Sequence, residues 1–589
     1  QVYRSTDGGD SFQITHDEPL ENVVFSYGYY FGEIRVHPRD NQRVYIMGVP
    51  ILRSDDGGAN WTSINGDNVH VDHHALWVNP NANGHLVNGN DGGLNISYDD
   101  GATWTKANLP AVGQFYAVQV DNAEPFNIYG GLQDNGTWMG PSTYRGTLSW
   151  FEEGQYPYKR VGGGDGMQVE VDTRDNETIY TGSQFGFYSR QNTRTGARAF
   201  IRPGHTLGER PLRYNWQTPI HLSRHNQDVL YFGTNKLHRS LNQGDDWQTL
   251  SDDLTGGGKP GDVPFGTLSS IDESPLRFGL FWTGSDDGRV HVSRDGGYSF
   301  QRVGGGLPDD FWVSRVEASA HDEARAYVTL NGYRFDHMDA YLYMTNDYGN
   351  TWTRLGTDLP SEPLNVVLED PANENLLYVG SDNGLYVSLD RGRTFTAMMG
   401  DLPHTPVHDL KIQARDKQLL VGTHGRSLYL ADVSRVQMLT DSLQASPLHL
   451  FTDGVTVTRR SNWGDTRAVW LDPVTPEVSF ETYSARGGSA TVTVADSSGT
   501  TVATRSVALA RGLDDFTYDL RIDDGMRSDI EAAEDGMRYL PAGTYTVTVA
   551  LNGATASTKL TIKPEPQRRR SANPATEMEE ETELARGKS

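Results

Sequence analysis

His70, Asp72 and His74 alternate along a short segment, and in extended backbone their side chains project from one face with His73 on the other. Two imidazoles and a carboxylate so placed could bind Zn²⁺ or another divalent metal ion with a position left open for water. The same groups could instead pin a wall of strands by hydrogen bonds, or touch a ligand directly. Gln133, Asp134 and Asn135 stand where a local repeat has lost its usual residues, and departures from a repeat are places where function can sit. Asp165 lies in Gly162-Gly163-Gly164-Asp165-Gly166, a flexible loop with no Lys-Ser/Thr after it, so it is not a phosphate loop. Glycoside hydrolysis needs two carboxyls roughly 5 to 10 Å apart, one of them kept protonated. Asp134 and Asp165 are the catalytic candidates for that chemistry, with Glu152 and Glu153 beside them in the chain, and simple drift of the repeat is the alternative. Trp138, Trp150, Tyr156, Tyr158 and Trp216 lie in the same third of the sequence and could stack on sugar rings or fill sheet interfaces. The acidic turn Ser285-Asp286-Asp287-Gly288 offers oxygen ligands to Ca²⁺ or is simply solvated. Gly-x-Ser-x-Gly is absent, which leaves no serine nucleophile to defend.

The bulk properties narrow the partners. The chain has 589 residues with 51 Lys plus Arg against 77 Asp plus Glu, a net charge of −26. A nucleic-acid backbone or an anionic membrane repels such a surface, and the one basic cluster is Arg568, Arg569 and Arg570. There is no cysteine, so thiolate metal sites and disulfides are excluded while the compartment stays open. No apolar run reaches the roughly 18 residues of a membrane span. The opening Gln-Val-Tyr-Arg reads as mid-strand, which suggests a processed or incomplete N-terminus.

The elements that must position these side chains are set by a repeat. Ser/Thr-x-Asp-x-Gly-x-x-Trp/Phe recurs from Ser5, Ser54, Ser97, Ser293, Thr345 and Ser388, and Ser240 begins a copy with Asn242 for Asp. Spacings of 43 to 53 residues indicate a propeller or solenoid unit. The gap of 143 residues between Ser97 and Ser240 is close to three periods, so two worn copies are expected, at Gln133–Trp138 and at Tyr188–Gly196. Each copy follows one alternating segment and precedes another, as a hairpin turn does, with Ser/Thr and Asp bonding nearby amides and Gly accepting positive φ. Two further strands precede most turns, and first strands begin near Glu33, His74, Tyr116, Met167, Ile220, Leu268, Val313, Leu364 and Val407. Four strands per unit, radially repeated, are β-propeller blades, about nine to ten of them.

The repeat resembles the Asp-box, or BNR, turn of sialidases, two-propeller xyloglucanases and sortilin. Further stretches are similar to bacterial sortilin-like BNR-repeat proteins often labelled glycosyl hydrolases: His70 to Trp77, Gly89 to Gly93, Gly130 to Gly136, Tyr214-Asn215-Trp216, Gly284 to Asp295 and Gly422-Thr423-His424-Gly425-Arg426. The resemblance covers residues 1–435. It implies one complete and one partial seven-bladed propeller, an extracellular or periplasmic location, and Asn215, Trp216, His424 and Arg426 as ligand-binding positions beside Gln133, Asp134, Asn135 and Asp165. A sialidase also needs an arginine cluster and a tyrosine nucleophile; Arg315 and Arg426 supply arginines without marking out a triad.

From about Pro447 the period stops and short alternating strands follow, with Ser498-Gly499 and Asn552-Gly553 as hairpin turns. Residues 447–563 read as a β-sandwich, and Leu540 to Tyr545 resembles the last hairpin of FlgD-type immunoglobulin-like domains. Residues 564–589 form a charged tail, either disordered or a helix that orders only against a partner. The whole is all-β: a propeller region, a sandwich and a tail. The functional expectation is an exported binding or scaffolding protein for a peptide, glycan or protein partner, with a glycoside hydrolase acting in a propeller cleft as the alternative.

Overall fold

The computed structural model describes residues 1–25, 27–107, 110–144, 157–261, 265–451, 454–466 and 470–565. Contacts divide the chain into two compact units, 1–437 and 438–589.

In the first unit the strands form successive antiparallel sheets, each a meander of neighbours in sequence. First strands start at Glu33, His73, Phe115, Val169, Ile220, Leu268, Trp312, Leu364 and Val407, within two residues of the expected positions. From Phe115 onward the first strands of consecutive sheets pack against one another, and the last of them, Val407–Gln413, packs back on the first, Phe115–Val120. This is a closed ring of seven blades: I (115–162), II (169–200), III (220–249), IV (268–302), V (312–355), VI (364–397) and VII (407–432), the last with three strands among the described residues. Two four-stranded sheets, 33–63 and 73–107, and a hairpin of Tyr3–Arg4 with Gln13–Ile14 precede the ring and form a partial second array. One complete and one partial propeller is therefore the architecture, and the ring closes without residues 1–14.

The core explains the repeat. A fully buried aromatic ring sits at the same place in the second strand of most blades: Tyr45, Tyr129, Tyr180, Tyr231, Trp282, Tyr327 and Tyr378. Such rings supply a large buried area and a polar tip that needs a partner; the hydroxyls of Tyr129, Tyr327 and Tyr378 reach Asp121, Glu369 and Asp370. The eight-residue turn joins third and fourth strands. In its copy at Ser54, the hydroxyl donates to Asp56 (2.8 Å) and accepts from the Gly58 amide (2.9 Å), while Asp56 accepts from the Asn60 amide (2.8 Å). Its aromatic residue wedges against the preceding blade: Trp104 Nε1 donates to the Ile64 carbonyl (2.8 Å) and Trp352 Nε1 to that of Val303 (2.5 Å).

The two expected worn copies fare differently. Asn192–Ala199 occupies the turn's place in blade II, keeping Gly196 at φ 74° but carrying Arg194 where Asp belongs and Ala199 where the aromatic belongs. Gln133–Asn135 is not a copy: it joins the second strand, Asn127–Leu132, to the third, Gly136–Pro141. Because strands alternate in direction, that turn lies at the opposite end of the blade from the eight-residue turns.

The second unit is a β-sandwich. A sheet of Leu448–Leu450, Val478–Ser484 and Gly512–Tyr518 accompanies one of five strands, and Phe480, Val492, Tyr518, Val547 and Leu560 fill its core. Asn552-Gly553 makes a two-residue hairpin turn with φ of 50° and 84°, the positive values that suit a right-twisted ribbon. Among the described residues no helix is long and apolar enough to cross a membrane.

Candidate functional site

At the end of the blades that carries the second-to-third turns and the entries to first strands, several acidic side chains meet. Asp91 lies in the second-to-third turn of the 73–107 sheet, Asp134 in that of blade I, and Asp165 in the entry to blade II. Glycine allows the approach. A Cβ on Gly166 would come 2.2 Å from the Gly136 carbonyl oxygen, and one on Gly131 would come 2.1 Å from that of Met167, so only bare backbone lets the 162–166 loop lie on the Asp134 turn. The Gly166 amide donates to the Leu132 carbonyl (2.8 Å) and the Asp134 amide to Asp165 Oδ1 (3.3 Å). Asp134 takes φ 59°, a value aspartate tolerates better than most residues.

The carboxyls of Asp91 and Asp165 both lie close enough to Asp134 to feel its charge. Burial, reinforced by the negative charge of Asp134, pushes both up to about 6 from the ordinary 3.8. The three side chains form one acidic cluster, in which Asp91 and Asp165 hold their protons more tightly than a free aspartate does. Asp165 is 5% exposed, whereas the Asp91 side chain is 26% exposed and meets His74 Nε2 at 3.1 Å.

Around this set stand aromatic and amide groups. Tyr116, at the start of blade I, donates its hydroxyl to Gln133 Oε1 (3.0 Å) and receives Trp216 Nε1 (3.4 Å); burial raises its phenol well above the usual range. Trp216 is 37% exposed and meets Phe185 edge-on, with centroids 5.2 Å apart. Asn135 Nδ2 reaches the Asp91 carbonyl (2.8 Å), tying blade I to the 73–107 sheet. His424 stacks on His408 with centroids 4.4 Å apart and leans on Tyr116, and burial lowers both imidazoles, His408 to about 3.

Several expectations are corrected. The strand begins at His73 and Asp72 takes φ 66°, so His70, Asp72 and His74 do not line one face of an extended segment. His70 instead sets Nε2 on the Asp134 carbonyl (3.0 Å), and His74 stacks on Phe31. Among the described residues no group of three His, Asp or Glu side chains is arranged to hold a metal ion. His73 is the pinned residue, buried between Asn88 Oδ1 (2.8 Å) and Asn65 Oδ1 (2.6 Å). Asn215 is 2% exposed and spends its side chain on Thr267 Oγ1 (2.8 Å) and the Gln217 amide (3.0 Å), so it supports the loop that carries Trp216. Arg426 is exposed, while Arg315 is committed to Asp409 (2.7 Å). Asp286 is occupied by the Gly266 and Thr267 amides and Asp287 by Ser285 and the Gly256 amide, which leaves the acidic turn no open carboxylate pair for Ca²⁺. Trp150, Glu152, Glu153, Tyr156 and the charged tail from residue 566 lie outside the described residues.

Sequence reasoning missed Asp91, Tyr116 and Phe185 as members of this cluster. The available signal was positional: Gly89-Asn90-Asp91 and Gly131-Leu132-Gln133-Asp134 both begin at a second-strand glycine and turn at the same end of neighbouring sheets.

No protein-family model matches the chain, and no curated protein matches it. Among solved structures it is similar to PorZ, a bacterial surface component of the type-IX secretion system of Porphyromonas gingivalis, at 13% identity over 90% of this chain and 70% of that one, with a TM-score of 0.43. It is also similar to the extracellular domain of the putative hybrid two-component system BT3049 of B. thetaiotaomicron, at 12% identity, 91% and 68% coverage and a TM-score of 0.38. A third likeness is to the Niastella koreensis GH74 enzyme, at 14% identity, 77% and 81% coverage and a TM-score of 0.25. Likenesses this distant carry no information about the site.

Proposed function

We propose that this is an exported binding protein whose blade ends, where the 73–107 sheet meets blades I to III, hold a hydroxyl-rich saccharide. The observation that supports the reading is the Asp91–Asp134–Asp165 cluster beside an exposed indole. Carboxyls and the Gln133 amide give and accept hydrogen bonds as sugar hydroxyls require, and Trp216 offers an apolar edge and face for a sugar ring. The sandwich serves as spacer or attachment module.

The carboxyls are already engaged, Asp165 by the Asp134 amide (3.3 Å) and Asp91 by His74 Nε2 (3.1 Å), which favours a binding role over hydrolysis. The hydrolase reading keeps one observation in its favour, namely two carboxyls that stay protonated up to about 6 next to a third, as a general acid would.

One experiment separates the two. The purified chain is titrated calorimetrically with a panel of neutral oligosaccharides while reducing ends are assayed in the same samples. Binding without release, weakened about tenfold or more by Trp216→Ala and by Asp134→Asn, is the expected result. Release abolished by Asp134→Asn would replace binding with hydrolysis, and a panel that gives neither would remove saccharides from the reading.

A further inference from the structure

Blade II differs from its neighbours at its outer edge, far from the carboxyl cluster in the order of its strands. In blade V, where the eight-residue turn is intact, an indole plugs the gap to the preceding blade, Trp352 against Val303. Blade I presents the same receiving surface to blade II: Arg160-Val161-Gly162-Gly163-Gly164 repeats Arg302-Val303-Gly304-Gly305-Gly306. The plug is missing, because Ala199 stands at the aromatic position and Arg194 replaces the turn's Asp. Gln191 crosses the gap, donating Nε2 to the Val161 carbonyl (2.5 Å) as the Trp352 indole N–H does to that of Val303.

The gap is a cavity of about 740 Å³ lined by Lys159, Arg160, Arg194 and Arg198, with Asn192 and Gln191 between them. That volume is within the range of small-ligand sites. Its charge is the reverse of the chain's net −26. Glu177 neutralises Arg194 through both carboxylate oxygens (2.8 Å each), but among the described residues Lys159, Arg160 and Arg198 have no carboxylate partner. Several other arginines of the ring are paired with carboxylates, Arg174 with Asp172 and Asp228, Arg213 with Asp253, Arg391 with Glu374. Three cations that have no carboxylate partner among the described residues, set in one concavity of an acidic protein, attract anions and exclude few of them by shape.

We infer that this inter-blade cavity is a second binding site, for an acidic saccharide bearing carboxylate or sulfate groups. Guanidinium forks match carboxylate and sulfate oxygens. The remaining lining is the Arg194-bound Glu177 carboxylate, amide, hydroxyl and glycine backbone, with only Met139 and Val161 apolar, so it suits sugar hydroxyls and gives no pocket for an apolar peptide side chain.

The test titrates the full chain at low salt with oligogalacturonate, a sulfated heparin-type oligosaccharide, a neutral cello-oligosaccharide and a polyglutamate peptide. One or both acidic saccharides bind the wild-type chain and Trp216→Ala alike, whereas the neutral one does not bind Trp216→Ala; added salt weakens binding of the acidic saccharides, and Lys159→Gln with Arg198→Gln weakens it about tenfold. Both substituted side chains are exposed, so an unchanged melting temperature certifies the fold. Trp216→Ala leaves this binding intact, which distinguishes it from the neutral-saccharide site proposed above. Failure of both acidic saccharides to bind the wild-type chain, equal binding by the double variant, or polyglutamate binding as tight as oligogalacturonate would overturn the inference.

Discussion

Asp165 binds its proton more tightly in the folded chain than an unfolded aspartate does, at about 6 against 3.8, and burial is the main cause. Folded molecules therefore carry more protons than unfolded ones between those values. The stability this contributes is complete below about 4 and is lost as pH rises through about 6. Asp165→Asn replaces the carboxyl by a neutral group of the same shape, whose Oδ1 can still accept the Asp134 amide. The variant is expected to match the wild type near pH 4 and to exceed it by about 1 to 3 kcal/mol near pH 8, read from urea midpoints at each pH. A variant weaker at both values would mean that the carboxylate is held by donors. At this scale the sequence was informative in part. Asp134 and Asp165 were singled out and do meet, because a glycine loop announces a close approach. Their partner Asp91 and the indole-to-phenol contact between Trp216 and Tyr116 are separated by 43 and 100 positions from the residues they touch, and nothing local encodes such pairs.

At the scale of the element, the eight-residue turn is a self-contained hydrogen-bonding unit, which is why its period could be read directly. Ser388 is fully buried; its hydroxyl accepts from the Gly392 amide (2.8 Å) and donates to Asp390 (2.8 Å). Removing it leaves a buried N–H without a partner. Ser388→Ala is expected to cost about 1 to 3 kcal/mol, seen as a lower urea midpoint for the propeller unit, with Ser388→Thr recovering most of the loss. Equal loss in both variants would point to packing and not to the hydrogen bond. The same periodicity misled at Gln133–Trp138, where Asp, Gly and Trp occur in order but one turn early in the blade. Composition alone cannot tell a second-to-third turn from a third-to-fourth turn; the glycine that ends the second strand can. The metal expectation at His70, Asp72 and His74 failed for a related reason: alternation places side chains on one face only while the backbone stays extended, and it bends at Asp72.

At the scale of the whole molecule, closing a ring requires the last blade to meet the first, and that contact is far from local. Asp409 of blade VII is its polar centre. It accepts the Val118 amide of blade I (2.9 Å) and the Arg315 guanidinium of blade V (2.7 Å), while Gln413 and Arg415 reach backbone carbonyls at Asp121, Asn122 and Ala123. Periodicity predicts how many blades there are but not which two ends join, since a three-stranded final blade could equally have borrowed a strand from residues 1–14. Apolar packing of Phe115, Val118, Ile128 and Leu420 surrounds the same junction and could close it without help. The two contributions make different demands. If the ion pair is decisive, Asp409→Ala leaves the Arg315 guanidinium without its hydrogen-bonded carboxylate, a change that costs about 3 to 5 kcal/mol, whereas Asp409→Asn keeps an acceptor and costs less. Hydrogen exchange should then quicken first in Phe115–Val120 and Val407–Gln413, ahead of blades III and IV. A loss below about 1 kcal/mol with protection unchanged at those strands would assign closure to the apolar contacts, and Asp409 would be left with the narrower task of fixing Arg315.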